Sequence, residues 1–142
     1  WANLEADDVM GIMATEPALE EERILVSIDK DMRTIPCNLS QDGTTIEQIP
    51  EKIANYNFMI QTMMGDKVDG YDGIEGVGIK TAEKLIKKYT NVTLLDLWKI
   101  VKGIYKEKGY TQAEALQQAR VAHILRHGEY NKKTGKVKLW TI

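Results

Sequence analysis

Gly73-Ile74-Glu75-Gly76-Val77-Gly78-Ile79-Lys80-Thr81-Ala82 is the stretch on which the reading of this chain turns. It has the form of a tight glycine turn that opens a helix. Gly76 and Gly78 permit backbone angles closed to other residues and leave no side chain over the turn. Backbone N–H groups at the start of the helix can then point at a phosphate. Lys80, Lys84, Lys87 and Lys88 follow at the spacing of one helix face, while Ala82, Leu85 and Ile86 point elsewhere. Together with Thr81 they form a set that suits a phosphate backbone and reads no base sequence. Upstream lies Gly65-Asp66-Lys67-Val68-Asp69, and Gly65, Gly70, Gly73, Gly76 and Gly78 mark residues 65–78 as a structured loop.

The charge distribution agrees with this reading. Residues 1–75 carry 16 acidic and 5 basic side chains, a net −11, and residues 76–142 carry 5 acidic and 14 basic, a net +9. The overall charge of −2 hides this division. An acidic half suits cations and a basic half suits a polyanion. With 142 residues, 43% hydrophobic and 28% charged, the chain is long and apolar enough for a packed core. Its one cysteine, Cys37, excludes an internal disulfide and suggests a reducing, cytoplasmic setting. No apolar run is long enough for a membrane span. The first residue is Trp1, and the chain is expected to be part of a longer protein.

Three acidic groups lie beside expected apolar elements. Glu5, Asp7 and Asp8 open a helix carried by Val9, Met10, Ile12 and Met13, in which Gly11 suggests close packing. Asp29 and Asp31 follow a short run, Arg23–Ile28, that reads as a buried strand, and ligand sites gather at such strand ends. Asp66 and Asp69 lie in the glycine-rich loop. Carboxylate oxygens suit hard divalent ions, Mg²⁺ or Mn²⁺. Two such ions about 4 Å apart would activate water and stabilise a leaving oxygen in phosphodiester cleavage. Glu20, Glu21 and Glu22 fall in a connection and read as solvated surface. Beyond the strand, a brief helix to Ile35, two short strands about Gln41-Asp42-Gly43 and a helix over 50–64 are expected. Helices are expected over 79–89, 93–108 and 111–127, with a hairpin at Lys133-Thr134-Gly135. His123 and His127 would then lie one helical turn apart, and are read as surface or packing residues rather than a metal pair.

Four segments in order resemble the flap-endonuclease and 5′-nuclease superfamily: Glu5-Ala6-Asp7-Asp8, Ser27-Ile28-Asp29-Lys30-Asp31, Gly65-Asp66-Lys67-Val68-Asp69, and the Gly73–Ala82 turn, with Glu75 where many relatives carry proline. Asp7-Asp8-Val9-Met10-Gly11, Ala122-His123-Ile124-Leu125-Arg126, Glu129-Tyr130-Asn131 and Leu139-Trp140 are most similar to the 5′-to-3′ exonucleases of short-tailed bacteriophages. The resemblance implies an α/β fold. Residues 1–64 would be the end of a Rossmann-like catalytic core. Residues 65–142 would be a helix–three-turn–helix DNA-binding region with a C-terminal hairpin. It implies that Glu5, Asp7, Asp8, Asp29, Asp31, Asp66 and Asp69 are catalytic ligands of two Mg²⁺ or Mn²⁺ ions. It implies that Gly76, Gly78, Lys80 and Thr81 hold duplex phosphates, with a K⁺ ion also held at the turn. The partner would be duplex DNA with 5′ ends or flaps. The family's N-terminal half, with its further aspartates and basic arch, lies outside this sequence. Weak or no activity and self-association through an exposed sheet edge are therefore expected of the chain alone. A non-catalytic duplex-binding module and an RNA-cleaving metal nuclease are the alternatives.

Overall fold

A computed structural model of the chain describes residues 1–17 and 22–142; Glu20 and Glu21 lie outside the described residues. The fold is mixed α/β and divides into two compact units. One comprises Trp1–Ala54 and Ile124–Leu139, and the other Asn55–His123 and Trp140–Ile142. No helix among the described residues is long and apolar enough to cross a membrane.

In the first unit, α1 (Ala6–Thr15) carries Asp7 and Asp8 in its first turn, where the helix dipole favours negative charge. Three strands, β1 (Leu25–Val26), β2 (Cys37–Ser40) and β3 (Glu47–Ile49), form one sheet in that order. β1 runs parallel to β2, with Leu25 opposite Leu39, and β3 returns antiparallel. The β2–β3 turn is held by the Asp42 carboxylate, which accepts from the Thr44 and Thr45 N–H groups at 2.8 and 2.6 Å, with Gly43 at φ +81°. These bonds hold the Asp42 carboxyl below the usual carboxylate range, Thr45 contributing most. Met32, Ile35, Leu39, Ile49 and Ala54 form the core, with Met10, Ala14, Leu25 and Ile124 packed on it.

The expected buried strand over Arg23–Ile28 is buried on one face only. Leu25 turns inward, while Ile24, Val26 and Ile28 are 45%, 63% and 90% exposed. Side chains alternate across a strand, so these three share the outer face. Among the described residues only β2 pairs with β1, which leaves its other edge without a strand.

In the second unit, α2 (Glu51–Met64) enters after Ala54 and is followed by α3 (Ile79–Ile86), α4 (Leu94–Glu107) and α5 (Gln112–Ala122). Local chemistry starts two of them. The Thr93 hydroxyl accepts from the Asp96 N–H ahead of α4, and Thr111 with Glu114 makes a reciprocal capping box ahead of α5. The core joins Phe58, Met63, Ile86, Val101 and Tyr105 to Trp140, on which Phe58 and Trp98 stand edge-on at 5.1 Å.

Two helices are shorter than their sequence suggests. α3 stops at Ile86, and Lys87–Tyr89 form a single 3-10 turn. α5 stops at Ala122, five residues before the expected end. Beyond it the Leu125 N–H donates to the Asp8 carboxylate at 3.0 Å and the His127 N–H to the Thr15 hydroxyl at 2.7 Å. These tertiary bonds take the place of helical ones, so His123 and His127 do not share a helix face. His123 packs on Phe58, centroids 5.1 Å apart, in keeping with a packing role. The returning segment ends in the expected hairpin, β4 (Tyr130–Asn131) with β5 (Lys136–Val137).

Gly11 makes the return possible. A Cβ built there would lie 2.3 Å from the Leu125 carbonyl oxygen and 2.8 Å from the Ile124 side chain. Gly11→Ala, which helix propensity alone would make stabilising by about 1 kcal/mol, is therefore expected to destabilise by about 1–3 kcal/mol, measured by urea unfolding. Ile28→Lys is expected to leave the unfolding midpoint unchanged within about 0.5 kcal/mol and to reduce self-association in sedimentation velocity. Unchanged association would place the contact elsewhere.

Candidate functional site

Each acidic group is built by its own stretch of backbone. Glu5 precedes α1 and is exposed, and its side chain makes no capping bond. Asp7 and Asp8 are half-buried on the first turn. One Asp8 oxygen anchors Leu125, so this residue has a structural role beside any ligand role; a carboxylate has a second oxygen to offer. After β1 the chain bends at once. The Asp29 N–H donates to Ser27 Oγ at 3.2 Å, and Asp29 Oδ1 accepts from the Asp31 N–H at 2.9 Å, starting the 3-10 turn Lys30–Thr34. This turn brings Asp29 and Asp31 together at the strand's carboxyl end and leaves Asp31 only 8% exposed.

In the second unit, Asp66 Oδ1 accepts from the Val68 and Asp69 N–H groups at 3.0 and 3.4 Å, and the backbones of Asp66 and Tyr71 form an antiparallel bridge. That tight loop requires glycine at both ends. Gly65 and Gly73 have φ of +69° and +62°, and a Cβ on either would fall within 2.6 Å of the other's backbone or its neighbours'. Asp66 is half-buried and Asp69 exposed on this loop. Among the described residues, neither unit taken alone brings three of the expected ligands within 4.8 Å of one another. The expected ligand set is all oxygen, without histidine or cysteine, which fits Mg²⁺ or Mn²⁺ and disfavours zinc.

The glycine turn is anchored below and open above. Ile74 and Val77 are buried at 1% and 7% exposure, and the Val77 N–H donates to the Ile74 carbonyl at 3.1 Å. Gly76 has φ +76°, whereas Gly78 is extended at φ −93°. A Cβ on either would meet nothing within 4 Å, so a ligand can approach this backbone closely. Gly78 caps α3, and Lys80, Thr81, Lys84, Lys87 and Lys88 are all exposed, with Ala82 and Ile86 fully buried on the opposite side. Lys80 and Lys84 share the α3 face; Lys87 and Lys88 follow on the 3-10 turn, where Lys88 lies 5.2 Å over the Tyr89 ring. On α4, Lys99 pairs with Asp96 at 3.6 Å and Lys102 lies over Trp98, the arrangement of ordinary surface.

Two residues not read from the sequence hold this turn in place. Gln118 Oε1 accepts from the Gly73 N–H at 2.8 Å, and the Tyr110 hydroxyl accepts from the Glu75 N–H at 3.0 Å. Tyr110 in turn stands edge-on to buried Tyr105 at 5.4 Å, and the Tyr105 hydroxyl donates to the Thr62 carbonyl. These partners lie 45 and 35 residues from the turn, and no local pattern announces them. Cys37 has no place in the site; burial pushes its thiol up to about 11, so it is no thiolate at neutral pH.

Comparison with known proteins places the chain. It is 32% identical to the exodeoxyribonuclease of Enterobacteria phage T3 over 97% of its length, and 31% identical to the exonuclease of Escherichia phage T7 over 96%. It is 30% identical to the 5′-3′ exonuclease of Bacillus subtilis (strain 168) over 67% of its length. The chain spans 55% of each phage protein and 37% of the bacterial one. No family model matches it, and no solved structure matches it significantly. The phage relatives, named as exonucleases, match nearly all of this sequence, and the bacterial relatives named 5′-3′ exonuclease match about two thirds of it: the chain belongs to the 5′-3′ exonuclease and flap-endonuclease superfamily.

Proposed function

We propose that this chain is the C-terminal part of a 5′-3′ exonuclease that hydrolyses DNA phosphodiester bonds with two divalent ions. The observation that carries the reading is the likeness to the phage T3 exodeoxyribonuclease over 97% of the chain, which takes in acidic segments and glycine turn together. Glu5, Asp7, Asp8, Asp29, Asp31, Asp66 and Asp69 are the proposed ligands. Bound Mg²⁺ or Mn²⁺ would lower the pKa of water and offset charge on the leaving oxygen. The protein's own part is to hold the acids on short, hydrogen-bonded turns. Asp29 fixes the backbone of Asp31, and Asp66 fixes that of Asp69. Preset geometry of this kind lowers the cost of ordering ligands when an ion enters.

The turn at Gly76 and Gly78, with Lys80, Thr81, Lys84, Lys87 and Lys88, would hold duplex phosphates and keep a 5′ end or flap in register. Its open backbone also suits a K⁺ ion held by carbonyl oxygens. Because the chain spans 55% of its phage relatives, complete activity is proposed for the full-length protein and weak or no activity for the chain alone.

In the full-length protein, Asp29→Asn and Asp31→Asn are expected to lower Mg²⁺-dependent cleavage of 5′-labelled duplex DNA by more than the roughly 10–100-fold that loss of a ligand's supporting partner costs. Affinity for the same DNA in EDTA should stay unchanged. Unchanged cleavage would remove Asp29 and Asp31 from the ligand set, absence of any Mg²⁺-dependent cleavage in the wild-type protein would favour a binding module, and preferred cleavage of a matched RNA duplex would shift the substrate. Replacing Lys80, Lys84, Lys87 and Lys88 by Gln is expected to flatten the dependence of log affinity on log salt for duplex DNA by up to about 3.6, at about 0.9 per lost phosphate contact. A slope equal to wild type would remove these lysines from the interface.

A further inference from the structure

We propose that the Tyr130–Lys138 hairpin is a second nucleic-acid-binding surface, taking the phosphate backbone of the DNA strand near the acids of α1. The proposal rests on DNA being the substrate, but on residues outside both the acidic set and the glycine turn.

Between residues 130 and 138 the hairpin carries Lys132, Lys133, Lys136 and Lys138, and no acid. All four lysines are exposed. The flanking Glu129 is already engaged, accepting from the Arg126 N–H at 2.7 Å. The hairpin lines an open groove of about 770 Å³. Its tip is held rigid by local bonds: Asn131 Oδ1 accepts from the Lys133 and Thr134 N–H groups at 2.9 and 3.1 Å, and Gly135 takes φ +67°. Four cations on so short a stretch repel one another, and a neutralising polyanion relieves that repulsion.

The aromatic contacts distinguish this patch from scattered surface lysines. Trp1 is 48% exposed, stacks on Tyr130 at 6.0 Å, and lies under the Lys132 ammonium, which is 4.1 Å from the indole centroid. That cation–π contact holds a long side chain that would otherwise be free. The Tyr130 hydroxyl donates to the Ala2 carbonyl at 2.8 Å, clasping the hairpin to the segment that leads into α1. Only three residue steps separate Ala2 from Glu5, a reach of at most about 11 Å. Since each strand of duplex DNA advances about 3.4 Å along the helix axis per nucleotide, a strand lying on the hairpin passes within a few nucleotides of Glu5, Asp7 and Asp8. The hairpin thus supplies the first unit with the phosphate-holding charge that its acids lack.

The test is DNA binding to the protein in EDTA, followed by fluorescence anisotropy over a range of salt, with single-stranded and duplex probes as separate arms. Replacing Lys132, Lys133, Lys136 and Lys138 by Gln is expected to flatten the slope of log affinity against log salt by up to about 2.8 for the single-stranded probe and about 3.6 for the duplex, at about 0.7 and 0.9 per contact. The same four positions as Arg should keep it. Circular dichroism should show both variants folded, because the lysines are exposed. Trp98 and Trp140 are 3% and 7% exposed, so a change in tryptophan emission on binding should come from Trp1 and vanish in Trp1→Phe. Loss of slope in either arm, with the emission change, supports the proposal, and the affected arm identifies the strand form held. Wild-type slope and affinity in both arms for the Gln variant overturn it. Since no metal or cleavage enters the measurement, that failure would leave the nuclease reading standing; conversely, a full-length protein that binds DNA through the hairpin but shows no Mg²⁺-dependent cleavage would sink the nuclease reading alone.

Discussion

The hydrogen bond from the Leu125 N–H to the Asp8 carboxylate joins residues 117 positions apart and organises the first unit. A charged acceptor makes a stronger bond than a neutral one, and a half-buried place shields it from water. It ends α5, turns residues 124–139 back onto α1, and needs the missing side chain at Gly11 to let the Leu125 carbonyl come close. Arg126 extends the seam by donating from Nη2 to the Thr34 carbonyl at 3.0 Å, joining the returning segment to the turn that carries Asp31. Asp8 is thus placed to matter for folding as well as for any ion.

The two acid-bearing turns share a design. In each, the first aspartate spends an oxygen on the backbone N–H of the second, so the carboxylates are set in place before any ligand arrives. The glycine turn follows a related logic through side chains. Gln118 on α5 and Tyr110, two residues ahead of that helix, accept its N–H groups, while the backbone at Gly76 and Gly78 is left open. Rigid support beneath and free backbone above is what a phosphate or a carbonyl-bound cation requires.

The β1 strand shows the opposite condition. Its outer face is apolar and exposed, and one edge has no strand beside it among the described residues. A parallel strand is ordinarily covered on both faces. The chain spans 55% of its phage relatives, and under the proposed reading the rest of a longer exonuclease would be what covers this face.

What the sequence determined by itself was local. The acids at a helix start and a strand end, the glycine turn and the Lys133–Gly135 hairpin all follow from neighbouring residues, because tight turns and helix faces are settled within a few positions. The family, too, was legible, since its motifs are short and ordered. Only the tertiary structure decided that α5 stops at Ala122, that residues 124–139 join the first unit, that Gln118 and Tyr110 hold the glycine turn, and that Ile24, Val26 and Ile28 face outward. Each of these depends on a partner dozens of residues away, or on which neighbour covers a face. Apolar periodicity records that a residue prefers burial, but not whether anything arrives to bury it.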